Sequence, residues 1–275
     1  MTASLAPDRA VPGFSWLRVR TVVRRLGHVG GRSPHRWFEV LVFPLIDVLL
    51  WGSLGEYVAQ ENGASGAATK YLLAGIILNH FLFQTEVSVA TGFMEETWSR
   101  NLLNVMATPI REVEFVLGVV LYGLAKMAVA IVAVNVASLV IYDFWLGQLG
   151  WGVLPVGACL LLSGWALGLL MIGLLLRFGQ SAEILTWAIP FVILALSGVF
   201  NPIRAIPGPL QPLGHLLPTT YAFEAGRTLL SGGAMPWGDL ARAGGGGVLL
   251  VLAAAWFARS MLATFRDRGY ITRYS

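Results

Sequence analysis

Apolar residues fall into six long runs, at about 37–58, 71–93, 115–142, 152–176, 184–200 and 244–265. Each approaches the roughly 20 residues that a helix needs to cross a bilayer core about 30 Å thick. The pattern predicts an all-α integral membrane fold with six transmembrane helices. One polar interruption stands out, GFMEETWSRNLLNVMATPI at 92–110, which sets Glu95, Glu96 and Arg100 beside Met94 and Trp98. Met94, Trp98, Leu102, Val105 and Met106 share one helical face, whereas Glu95, Glu96, Ser99, Arg100 and Asn104 point elsewhere. This predicts an amphipathic helix lying across the membrane surface between spans two and three. Thr108 and Pro109 then suit an N-cap and a first helical position, restarting the chain.

Composition supports the membrane reading. Of 275 residues, 56% are hydrophobic and 12% charged, too few charges to cover a soluble surface. The first residues lack the continuous apolar core of a removable signal peptide. Arginine outnumbers lysine 17 to 2, a bias that suggests a GC-rich bacterial source. The single Cys159, inside an apolar run, predicts a buried small hydrophobe without a disulfide.

Charge placement gives the orientation. Seven arginines precede the first run against one acid, Asp8, and Arg266, Arg268 and Arg273 follow the last. Arg100, Arg111 and Arg177 share that side under a six-span count, so both termini are expected in the cytoplasm of a bacterial inner membrane. A single transmembrane domain, 1–275, is predicted, with a cytoplasmic amphipathic N-terminus (1–36), a six-span domain (37–265) and a cytoplasmic tail (266–275). Phe14, Leu17, Val22 and Leu26 are expected to face lipid from an N-terminal interfacial helix. The connection 201–243 is long, apolar and broken by Pro202, Pro207, Pro209, Pro212 and Pro218. Non-helical backbone at membrane depth must be buried in protein, so short re-entrant helices are expected before the last span. The glycines at 244–247 then suit close packing.

Several chemistries are excluded. Lys70 and Lys126 precede Tyr and Met, so there is no P-loop. No metal-ligand spacing occurs, and neither a catalytic residue nor a metal ligand is assigned. The serine of GASG at 63–66 lies in a polar loop, which argues against an intramembrane protease. Polar residues within the spans are costly and must face protein or water. Asn79, Phe83 and Glu86 share a stripe of the second span, flanked by His80 and Gln84, opposite Leu78, Leu82 and Val89. That stripe either lines a substrate path or supplies interhelical hydrogen bonds. Gly164 and Gly168 form a GxxxG pattern, expected to serve packing inside the bundle.

The segment FMEETWSRNLLNVMATPIREVEFVLG, 93–118, resembles the signature of ATP-binding-cassette type-2 exporter permeases. LLPTTYAFEAGRTLLSGG, 216–233, is similar to that family's element before the last span, carrying Tyr221, Glu224 and Arg227. The resemblance implies a permease that forms a dimer and docks on two separate ATPase subunits. These would hold ATP and Mg, with no cofactor bound by this chain. It further implies that Met94, Glu95, Glu96, Trp98, Arg100, Asn101, Leu102, Asn104 and Pro109 form an ATPase-coupling helix. Outward transport of an amphiphile (a drug, a lipid or a lipid-linked glycan) is the expected function. Nucleic acid is not an expected partner. The rival reading is an ion-coupled secondary transporter using Asp47, Glu86 and His80.

Overall fold

The computed structural model describes residues 13–32, 37–61, 66–98 and 108–267. Nine α-helices occur among them: α1 (Trp16–Gly31), α2 (Phe43–Glu61), α3 (Ala67–Trp98), α4 (Glu112–Tyr142), α5 (Val153–Phe178), α6 (Glu183–Leu196), α7 (Gln211–Leu216), α8 (Pro218–Leu230) and α9 (Trp237–Asp267). A π turn, Phe38–Val42, leads into α2, and short 3-10 turns at Leu146–Gly152, Gly179–Ala182, Ile203–Ala205 and Gly208–Leu210 join the later helices. No strand occurs among the described residues.

The helix α3 is the axis of the bundle. It packs on α2, α4 and α5, and its N-terminal half also meets α8. Leu73, Ile77, Leu82 and Val87 are fully enclosed. The glycines of α5 permit a close approach to it. A Cβ added at Gly164 would lie 2.6 Å from the Leu82 carbonyl oxygen, and one at Gly168 would lie 2.6 Å from Cβ of Val89. The GxxxG pattern therefore packs within one chain, as expected. Without a hydrophobic drive between helices in lipid, such backbone proximity is what holds them together. Two of the glycines at the start of α9 act similarly, Gly246 against Pro218 and Gly247 against Leu162. Cys159 is buried and unbridged in the same core.

The helix α4 ends on Asp143, which takes the left-handed conformation (φ 51°). The Asp143 and Phe144 amides donate to the carbonyls of Leu139 and Ser138, closing the helix while Phe144 plugs the core. The outward faces of α4 and α9 remain apolar, with Val132, Val140, Leu249 and Trp256 all more than 60% exposed. Such contiguous apolar surface suits lipid rather than water.

Against the six-span expectation, the described residues hold five helices long and apolar enough to cross a membrane: Val40–Glu61, Ala67–Met94, Val113–Tyr142, Leu146–Phe178 and Trp237–Thr264. The fifth expected span holds the 14-residue α6, roughly 21 Å long, and the residues from Thr186, beside Met94, to Val199, beside Gly75, run along α3 from one end of the bundle toward the other. Its helix stops because Gly198 adopts φ +69° and Pro202 follows. The bend after it stays inside the protein, with Ser197 and Val199 buried. Two helix boundaries also move, α3 running on to Trp98 and α9 beginning at Trp237 rather than 244. In addition, α1 turns Val22 and Leu26 onto α4 rather than lipid. Trp16 and Leu17 remain exposed on the other side of α1.

Gly164→Ala places its methyl against backbone that cannot move aside. It should lower stability by about 1–3 kcal/mol, the usual range for overpacking. Gly245→Ala meets nothing within 4 Å and should leave the melting temperature unchanged or raised. Thermal unfolding of both variants in detergent checks this contrast.

Candidate functional site

At the end of the bundle where α1 lies, one carboxylate gathers four donors. Arg111, in extended conformation, is the N-cap of α4, and its amide donates to Oε2 of Glu114 at 3.0 Å. The Ser15 amide, at the N-cap of α1, donates to Oε1 at 2.7 Å. Arg18 donates from Nε to Oε2 at 2.7 Å and from Nη2 to Oε1 at 2.6 Å, a bidentate pair. Its guanidinium also donates to the Gly13 carbonyl. The Glu114 hydrogen bonds push the Arg18 guanidinium above its ordinary value, so it stays charged. Beneath this node Gly118 lets Val22 approach α4, and Val22, Leu26, Phe115 and Val119 form a small core of their own. The start of α1 is thus tied to the first turn of α4, directly after the connection from α3.

The residues assigned to the coupling helix are distributed differently from expectation. Met94 is 2% exposed and lies in a cluster with Val89, Phe93, Ile172 and Leu175, and Thr186 Oγ1 donates to its sulfur. The backbone of Glu95, Glu96 and Trp98 continues α3 without a break. A separate helix does not begin at 92. Nothing between Gly92 and Trp98 breaks a helix, and Gly92 is needed for space, since an added Cβ would lie 2.8 Å from Val119. Pro109 sits exposed in a turn before α4. Arg100, Asn101, Leu102 and Asn104 fall outside the described residues.

The polar stripe of α3 lies inside the protein. Asn79, His80 and Glu86 are at most 6% exposed, as are Gln84 and Ser88. Among the described residues, Oδ1 of Asn79, both ring nitrogens of His80 and both carboxylate oxygens of Glu86 have no hydrogen-bond partner. Asp47 of α2 brings Oδ2 to 3.4 Å from Nε2 of His80, joining two residues of the ion-coupled rival. Phe83, less buried, tilts against Trp187 of α6 at 6.4 Å between ring centroids. The opposite face of α3 is buried as well, so both faces of this helix meet protein. Buried polar groups without partners are uncommon in folded proteins and mark strain or function.

At the other end of the bundle, α8 holds the bend after α6. Arg227 donates to the Gly198 carbonyl, stands 4.0 Å from Glu224 and covers the Tyr71 ring at 6.0 Å. Tyr221 donates its hydroxyl to the His215 carbonyl at 2.9 Å, and Arg242 covers its ring at 5.6 Å. Oγ of Ser197 and Oγ1 of Thr219 are 2.5 Å apart, and Thr220 Oγ1 donates to Gly214 at 2.6 Å. Tyr221, Glu224 and Arg227 therefore belong to one structural assembly that ties α8 to the α6 bend, α7 and α3.

Sequence patterning had not singled out Glu114. The spacing Arg111-x-x-Glu114 carries a capping signal, but its partner Arg18 lies 96 residues away. Glu114→Gln weakens both charge-assisted bonds to Arg18 while keeping the shape of the side chain. Amides of α1 should then exchange hydrogen faster, with little change in α5. Hydrogen-exchange mass spectrometry of the two helices checks this, and unchanged protection of α1 would refute the clamp.

"Inner membrane transport permease YadH" of Escherichia coli (strain K12) is 22% identical over 259 residues, covering 92% of this chain and 97% of that protein. Proteins of the same name from Escherichia coli O157:H7 and Shigella flexneri match equally. The profile of the family described as ABC-2 type transporter matches residues 14–230, from the start of α1 through the end of α8. That match embraces the Glu114 node, the polar stripe of α3 and the α8 assembly. The chain belongs to the ABC-2 type transporter family.

Proposed function

We propose that this protein is the membrane-spanning subunit of an ATP-driven exporter, paired with a second permease copy and driven by two separate ATPase subunits holding ATP and Mg. It would reside in a bacterial inner membrane, as the name of its Escherichia coli relative suggests, with both termini cytoplasmic. Its cargo would be an amphiphile, a drug, a lipid or a lipid-linked glycan.

One observation carries the reading. The central helix α3 runs unbroken into the segment assigned to ATPase contact, and α4 emerges from that segment through the Glu114 node. A push on residues 95–110 would therefore act on the helix that packs on α2, α4, α5 and α8, and on α1 through Arg18. ATPase subunits that bind this segment differently in their two nucleotide states would bias a two-state equilibrium of the bundle, which is the physical content of coupling. The buried stripe of Asn79, His80, Phe83 and Glu86 would then supply part of the path once the helices rearrange.

The test is purification with the partner ATPase and measurement of substrate-stimulated hydrolysis. Glu95→Arg or Arg100→Glu should abolish the stimulation while the isolated permease keeps its melting temperature. Transport that continues with a hydrolysis-dead ATPase would sink the proposal. The second reading, ion-coupled transport, draws support from the 3.4 Å approach of Asp47 to His80. Under that reading Asp47→Asn would abolish gradient-driven uptake into vesicles lacking any ATPase. Under the exporter reading such vesicles should show no transport at all.

A further inference from the structure

A cavity lies away from the α3 stripe, at the same end as the Glu114 node. It encloses about 410 Å³ between α3, α4, α5 and α9, within the range of small-molecule sites. Its floor is Val89 and Phe93 of α3 with Leu169 and Ile172 of α5, and its walls come from α4 and α9. The described residues that line it are apolar with two exceptions, Arg111 and Arg259. Both arginines are exposed, and the described lining residues include no carboxylate. Glu114, three residues from Arg111, is taken up by Arg18 and Ser15.

We propose that this groove binds an anionic phospholipid of the surrounding leaflet, its acyl chain between α4 and α9 and its headgroup phosphate between Arg111 and Arg259. An apolar slot alone would accept any lipid chain. Two cations on an otherwise uncharged lining add a preference, because a basic pocket between transmembrane helices recognises anionic headgroups. Arginine suits the role through its fork of donors, which matches phosphate geometry. A soluble anion would gain nothing from the apolar floor. A zwitterionic lipid offers the same phosphate but brings its own cation beside the arginines, so its net attraction is weaker. The occupant that satisfies both parts is an anionic amphiphile, and a groove at the edge of a bundle is open to the bilayer. This inference rests on the membrane-spanning fold and not on ATP-driven export, so it stands or falls separately.

Native mass spectrometry of the detergent-purified protein, titrated with phosphatidylglycerol and with phosphatidylcholine, tests it. Phosphatidylglycerol should be retained with a preference on the order of tenfold to thirtyfold, the effect of two arginines on a lipid of net negative charge. That preference should shrink as salt rises. Arg111→Gln combined with Arg259→Gln should reduce phosphatidylglycerol retention to the level of phosphatidylcholine. Ala255→Phe, which fills the slot and leaves both arginines, should reduce retention of both lipids. Equal retention of the two lipids by the unaltered protein would overturn the proposal, whether or not the variants fold. So would a double variant that keeps the preference. Release of bound phosphatidylglycerol when a partner ATPase and ATP are added would assign the groove to transported cargo and also overturn the resident-lipid proposal.

Discussion

The close approach of α5 to α3 is the contact on which the rest of this bundle depends. Gly164 and Gly168 leave no side chain between the two backbones, and the Leu82 carbonyl and Val89 fill the vacated space. With α5 in place, α9 packs on its far side and α8 closes over the outer end. In a lipid environment helices gain little by hiding apolar surface from one another. Fit at van der Waals distance therefore decides which helices are neighbours. This places α3, the most polar of the long spans, on the inside.

Burial of α3 gives its polar residues their significance. His80 and Glu86 could not face hydrocarbon cheaply, and the bundle encloses them without supplying hydrogen-bond partners among the described residues. A helix carrying such groups at the centre of its fold, and continuing past the bundle into the connection to α4, links interior and surface by a single rigid element. The Glu114 node extends that linkage sideways. Four donors on one carboxylate bind the start of α1 to the start of α4, so the amphipathic helix is a part of the bundle as much as a passenger on the membrane surface.

The outer connection shows a different solution to the same dielectric constraint. α6 is shorter than the long spans, and the chain bends at Gly198 with Ser197 and Val199 enclosed. Its freed carbonyl is met by Arg227, and Ser197 by Thr219. Irregular backbone at depth persists because protein groups replace the missing helical bonds. The proline spacing pointed to broken helices in this region, whereas the length of α6 followed from a glycine turn that hydropathy does not register.

The sequence by itself determined that this is an all-helical membrane protein, roughly where its long spans lie, and that Cys159 and the Gly164–Gly168 pair serve packing. Those follow from local composition and period, which a single chain displays openly. It also marked Asn79, His80 and Glu86 as unfit for lipid, because charge and hydropathy are properties of each residue alone. Only the tertiary structure decided that α3 is enclosed on both faces, that Val22 and Leu26 turn inward, and that Met94 is core rather than contact surface. It alone joined Arg18 to Glu114 and put Arg111 and Arg259 on one cavity. Those pairings lie far apart along the chain, and no local pattern encodes them. They arise when helices of fixed shape are forced to find the packing that leaves the fewest gaps.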